Sequence, residues 1–253
     1  MKLSFSEIDF SYREKQVLFS ISGAMEKGWL TCVLGENGSG KTTLLKCLCG
    51  ILKPSGGTVN LDGSGVHSLK LNDRARQIAY APQYIKTDNA EFVFDFLLLG
   101  RKPWFSWKEG DEDKRAVFEI LEKLSIGHLV FRRLGELSGG ERQKVILART
   151  FVQGTDIIIL DEPTNNLDLS FQLELFNFLQ AESRDNGKMI IIAVHDINIA
   201  LRFGTHGILI KEGRVVSSGL IHETVNEESI LKTLNVRNRI IEIDKIRVMV
   251  PLD

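Results

Sequence analysis

At 253 residues, with 43% hydrophobic and 26% charged positions, the chain has the composition of a globular protein that can bury a sizeable core, as one large domain or two small ones. A formal net charge of -1 excludes a global basic field for nucleic acid or anionic lipid and leaves room only for local patches. The cysteines, Cys32, Cys47 and Cys49, are too few and odd in number for a disulfide framework, which suits a reducing compartment. Cys47 and Cys49 sit two apart on an expected helix, so they diverge and read as small core residues.

In chain order, Lys2 to Phe10, Val17 to Met25 and Leu30 to Leu34 read as strands, the last running into a glycine-rich loop. The opening residues Met1 to Phe5 alternate like a strand and lack the long apolar centre of a signal peptide. Helical spacing begins at Lys41 and stops at Gly50, with Pro54 and Gly56-Gly57 close behind. Thr58 to Leu61 is a further strand turned by Asp62-Gly63, and Ile78 to Ala81 a short apolar one ending at Pro82-Gln83. From about 88 to 153 the β-branched runs give way to helix-period segments, Phe92 to Leu99, Lys114 to Leu124 and Glu141 to Phe151. Strand and helix then alternate through Ile157–Leu160, Phe171–Glu182 and Met189–Val194. The tail predicts a helix at Glu227 to Leu234 and strands at Ile240–Ile243 and Ile246–Val250. The longest apolar runs fall far short of the ~20 residues that span a bilayer.

Three segments carry chemistry. Gly35-Glu36-Asn37-Gly38-Ser39-Gly40-Lys41-Thr42 is a full G-x-x-x-x-G-K-[ST] match, placed after a strand and before a helix. Its glycines let backbone N–H groups turn inward at phosphate oxygens, and the helix N-terminus adds positive potential. Lys41 would then bridge the β- and γ-phosphates, and the Thr42 hydroxyl would ligate Mg²⁺. Ile157 to Leu160 delivers Asp161, a candidate Mg²⁺ ligand, and Glu162 from a strand that reads as buried on both faces. Between them stands Leu137-Ser138-Gly139-Gly140-Glu141, with a good N-cap serine and two glycines that permit close backbone approach.

Together these segments resemble the ATP-binding cassette family, and the resemblance covers nearly the whole chain. It implies an α/β fold: a P-loop NTPase core of mixed, largely parallel sheet, with an N-terminal antiparallel β subdomain and an inserted α-helical subdomain. The boundaries expected are 1–87 and 154–219 for the core, 88–153 for the helical insert and 220–253 for a C-terminal extension. The resemblance implies an ATPase in which Glu162 is the general base, His195 hydrogen-bonds the γ-phosphate and Gln83 contacts the metal or water. Tyr12 stands where the family stacks an aromatic on adenine, although Phe10 could serve on chemical grounds. Residues 35–43, Thr43 included, hold the nucleotide. Ser138, Gly139 and Gly140 serve the ATP of a second copy, and Asn166-Leu167-Asp168 resembles the D-loop crossing the same interface. Glu36 and Asn166 depart from frequent family residues, but neither replaces a phosphate or metal ligand.

Leu97-Leu98-Leu99-Gly100-Arg101-Lys102-Pro103-Trp104 looks like the Gly-Arg-x-Pro segment of cassettes serving iron-siderophore, haem and cobalamin importers. His195-Asp196-Ile197-Asn198-Ile199-Ala200 is similar to the same group. As chemistry, the first segment is an exposed turn with an arginine and an aromatic, either a docking face for membrane-subunit loops or a solvated loop with one buried tryptophan. The resemblance implies integral-membrane permease subunits, a homodimer, an indirect solute-binding protein, no nucleic acid, and a place on the cytoplasmic face of the membrane. Another importer or an exporter stays open. A soluble cassette of translation or repair also stays open, against one phosphate loop and no sustained heptads.

Overall fold

The computed structural model describes residues 1–105, 107–164 and 167–252, and divides into two units, Met1–Leu69 with Asn177–Asp253, and Lys70–Phe176. In the first, β1 (Lys2–Tyr12) and β2 (Lys15–Glu26) form an antiparallel pair whose buried positions change parity, from Leu3 and Phe5 to Ile8 and Phe10. The change falls at a register break between Phe5 and Ile8, where Glu7 takes φ 50 and donates its amide to Ser22 Oγ at 2.8 Å. An extra residue there turns the later side chains over, so both pairs reach the same core. After β3 (Leu30–Leu34) and α1 (Lys41–Leu48) come β4 (Gly56–Leu61) and β5 (Ser64–Gly65), giving an antiparallel sheet of order β2-β1-β4-β5.

The second unit holds α2 (Leu71–Ala75), β6 (Ile78–Ala81), α3 (Val93–Leu98), α4 (Asp111–Lys123), α5 (Gly139–Val152), β7 (Ile157–Asp161) and the start of α6 (Leu169–Arg184). Strands β6 and β7 run parallel, with Tyr80 beside Ile159 and Ala81 beside Leu160. Every residue of β7 is buried, as expected for a strand covered on both faces. The apolar stripes of α3, α4 and α5 pack together through Phe96, Leu97, Val117, Leu121, Leu147 and Phe151, all buried.

The chain returns to the first unit with β8 (Met189–Ala193), α7 (Ile197–Phe203), β9 (His206–Lys211), β10 (Arg214–Leu220), α8 (Ile221–Thr224), α9 (Glu227–Leu234), β11 (Asn238–Ile243) and β12 (Ile246–Pro251). Strand β3 lies between β8 and β9, parallel to both, so the all-buried run Leu30–Leu34 is an interior strand. The β9–β10 hairpin and helix α2 are absent from the sequence reading. The C-terminal hairpin is fastened to α7 by one side chain: the Asn198 amide accepts from Met249 N at 2.7 Å and donates to its carbonyl at 3.3 Å. Burial pushes the Cys32 and Cys47 thiols up to about 12, in keeping with core residues. No helix among the described residues is long and apolar enough to cross a membrane.

Candidate active site

The first unit builds the phosphate loop between β3 and α1. Gly35, Ser39, Gly40, Lys41 and Thr43 are buried, Thr42 is half-buried, and Glu36, Asn37 and Gly38 face solvent. The Lys41 ammonium is held within the loop, donating to the carbonyls of Gly35 at 2.9 Å and Glu36 at 3.0 Å. Gly40 caps α1 at φ 107, a conformation that favours glycine, and no side chain caps the helix. A Cβ on Gly35 would stand 2.2 Å from the carbonyl oxygen of Ile210, so this close approach admits no side chain. The β9–β10 hairpin also donates Gly213 N–H to the carbonyl of Ser39 at 2.9 Å. This bracing by Ile210 and Gly213 has no local signature in the loop and was missed from sequence.

Ser39 Oγ is buried without a hydrogen-bond partner. Tyr12 is 46% exposed and meets Phe10 edge-on at 4.8 Å, whereas Phe10 is buried at 8%. Of the two aromatics, only Tyr12 offers an open face. His195 stands exposed after β8, and the next residue, Asp196, caps α7 by accepting from Asn198 N at 2.7 Å and Ile199 N at 3.2 Å.

The second unit brings Gln83, Asp161 and Glu162 together at the ends of β6 and β7. Asp161 is 1% exposed and accepts the Tyr80 hydroxyl at Oδ2, 3.1 Å away. Glu162 is 8% exposed and accepts Gln83 Nε2 at Oε2, 2.7 Å away. Gln143 of α5 donates to the carbonyl of Pro163 at 3.2 Å, steadying the turn after the acids. Gln83 was foreseen as a metal or water contact; here its amide nitrogen serves the neighbouring carboxylate. Tyr80 was not foreseen, because a tyrosine inside an apolar strand reads as core.

Ser138 caps α5 through a reciprocal capping box: its Oγ accepts Glu141 N at 3.3 Å and donates to Glu141 Oε2 at 2.8 Å, while Ser138 N donates to the same oxygen at 2.8 Å. The Ser138 N–H is the main reason that the Glu141 carboxyl lies below its ordinary range. Ser138 and Gly139 are exposed, and a Cβ on Gly139 would meet nothing within 4 Å. Asp168 accepts Phe171 N at 2.8 Å at the start of α6. Asn165 and Asn166 lie outside the described residues, so only Leu167 and Asp168 of the D-loop resemblance can be placed.

The Leu97–Trp104 segment departs from an exposed turn that presents its arginine. Arg101 is drawn inward: its Nε donates to Asp113 Oδ1 at 2.9 Å, with side chains only 16% and 10% exposed. Trp104 Nε1 donates to the Gln153 carbonyl at 2.6 Å, with the Arg76 and Arg101 guanidiniums 5.4 and 5.1 Å from its ring. Burial alone would raise the Asp113 carboxyl, but the Gly110 N–H and Arg101 hold it below its ordinary value. A depressed carboxylate contributes stability above its unfolded value, about pH 4, and loses it as pH falls through the folded one. The urea midpoint should therefore drop more steeply on acidification below about pH 4 in the native chain than in Asp113→Asn.

The sequence matches the ABC transporter family over residues 18–165, more than half of the chain. The chain belongs to the ABC transporter family. It is an ATP-binding, ATP-hydrolysing cassette. Relatives cover almost its full length. An ABC transporter ATP-binding protein of Methanocaldococcus jannaschii is 39% identical over 100% of this chain and 98% of its own. The iron(3+)-hydroxamate import ATP-binding protein of Bacillus subtilis is 31% identical over 94% of this chain and 90% of its own. The ferric enterobactin transport ATP-binding protein of Escherichia coli is 32% identical over 95% and 90%. Among solved structures, one described as a metal-chelate type ABC transporter in an inward-facing conformation superposes with TM-score 0.85 at 25% identity, over 99% of this cassette and 97% of that chain.

Proposed function

We propose that this cassette powers a metal-chelate importer of the iron-siderophore, haem or cobalamin kind. It would work against integral-membrane permease subunits, fed indirectly by a solute-binding protein. The observation that carries this reading is the near-full-length likeness to ATP-binding proteins named for hydroxamate and enterobactin import. The chain then sits in the cytoplasm, on the inner face of the membrane through its permease, and nucleic acid is not among its partners. The finer division into a core of 1–87 and 154–219, a helical segment 88–153 and an extension 220–253 belongs to the same proposal.

The residues fit ATP and Mg²⁺ chemically. Ser39 Oγ, buried without a partner inside the loop, suits a phosphate oxygen. Thr42, Gln83 and Asp161 offer oxygen donors, the kind Mg²⁺ takes from a few side chains together with phosphates and water. When bound, Mg²⁺ neutralises charge developing on the transferred phosphoryl group. Gly35, Glu36, Asn37, Gly38, Ser39, Gly40 and Thr43 cradle the phosphates through the loop and helix start, and Lys41 binds the β- and γ-phosphates. Tyr12 stacks on adenine, His195 hydrogen-bonds the γ-phosphate, and Glu162 polarises the attacking water. Ser138, Gly139 and Gly140 complete the site of a second copy, so each chain of the homodimer holds half of each active site.

The test is purification of the chain with its partners from native membranes, followed by reconstitution into vesicles. ATP-driven entry of a ferric siderophore, haem or cobalamin is expected. Recovery with ribosomes or DNA, or ATP-driven movement in the export direction only, overturns the importer reading.

A further inference from the structure

We propose that Tyr80 is a positioning residue that fixes the carboxylate of Asp161 for Mg²⁺, a role resting on the reading of Asp161 as a metal ligand. Tyr80 lies directly beside Ile159 on the parallel neighbour, so the two side chains share a face of the sheet. Side chains alternate along a strand, so Asp161 shares that face two residues further on. Two residues of strand rise by about 6.6 Å, a distance that a tyrosine ring with its hydroxyl spans and that smaller donors do not. The hydroxyl accordingly reaches Asp161 Oδ2 at 3.1 Å.

A second pair forms just beyond the strand ends. Gln83, two residues past β6, meets Glu162, the residue after β7, where Nε2 and Oε2 stand 2.7 Å apart. The end of β6 and the segment after it thus supply a donor to each of two successive acids, one ending β7 and one just after it. Asp161 is 1% exposed, so bulk water has little part in orienting it, and the Tyr80 hydroxyl is a neutral donor that helps to set its rotation. Partners of metal-binding carboxylates act in this manner, and their loss commonly weakens metal binding by about 10–100-fold.

The test compares wild type, Tyr80→Phe and Asp161→Asn. Phenylalanine keeps the ring beside Pro82, Ile85 and Phe96, which line a cavity of about 80 Å³ with it, so the strand retains its packing. Nucleotide affinity is measured by calorimetry in EDTA and across a Mg²⁺ titration, and thermal melting follows the fold. In Tyr80→Phe, half-saturation by Mg²⁺ is expected to rise about tenfold, with affinity in EDTA and melting temperature unchanged. Asp161→Asn is expected to show a larger rise. If Tyr80→Phe titrates like wild type while Asp161→Asn shifts, Tyr80 has no positioning role and the metal-ligand reading stands. If neither shifts, Asp161 is not the metal ligand and the role of Tyr80 falls with it. A change in EDTA affinity or melting equal in size to the Mg²⁺ effect assigns Tyr80 a structural role instead and also overturns the proposal.

Discussion

Glu162→Gln is expected to lower steady-state ATP hydrolysis by about 10²–10⁴-fold while leaving ATP binding intact. On the barrier this corresponds to about 3–5 kcal/mol, the scale of losing one positioned general base. The substitution is nearly isosteric, and the site tolerates it for a visible reason. One partner of Glu162 is the Gln83 amide nitrogen at 2.7 Å, and a glutamine carbonyl accepts that hydrogen bond as a carboxylate does. What disappears is the negative oxygen able to take a proton from water. Glu162 is 8% exposed and follows the buried strand β7 at φ 50, so its backbone is fixed by the turn and not by its charge. Because ATP still binds, the variant should accumulate closed dimers, visible as an ATP-dependent shift in size-exclusion chromatography. Normal turnover would show that another group activates the water.

The elements were legible where local physics dominates. Met189–Ala193 is a continuous apolar run and Leu30–Leu34 is one but for Thr31, and a strand covered on both faces buries such a run. Lys41–Leu48 was bounded by glycine on both sides, and the three helix-period segments of 92–151 became α3, α4 and α5. Single residues of the candidate site were legible for a different reason: the phosphate loop requires particular residue types at fixed spacing. What stayed hidden depends on contacts between distant positions. Tyr80 and Asp161 are 81 residues apart, and only the register of β6 on β7 joins them. Arg101 looked like a surface charge because its partner Asp113 lies across a turn whose path no periodicity reveals. The β9–β10 hairpin was missed because its turn, Glu212-Gly213, closes a polar strand whose burial alternates weakly. Its bracing of the loop through Ile210 and Gly213 was hidden with it.

Ser138→Arg should abolish ATP-dependent dimer closure and reduce turnover by about 100-fold or more, while ATP affinity of the isolated chain changes little. The structure separates two contributions that this substitution mixes. Ser138 is first a helix cap, and losing the capping box with Glu141 costs about 1 kcal/mol, as Ser138→Ala should show by itself. Arginine adds a cation at the helix N-terminus, worth roughly a further 0.3–1 kcal/mol against the fold. Neither term is large enough to unfold a domain of ordinary stability, about 5–15 kcal/mol. The remaining effect is steric and electrostatic at the exposed start of α5, where Gly139 stands in open space. On the proposed trans role, a long side chain at this exposed helix start obstructs the phosphate group of a second copy's nucleotide. Ser138→Ala should therefore retain dimer closure, and Ser138→Arg should lose it, with both chains melting cooperatively. Were the arginine variant to lose nucleotide binding as an isolated chain, Ser138 would act within its own subunit. Gly139 would then need a local explanation, which its open surroundings do not supply.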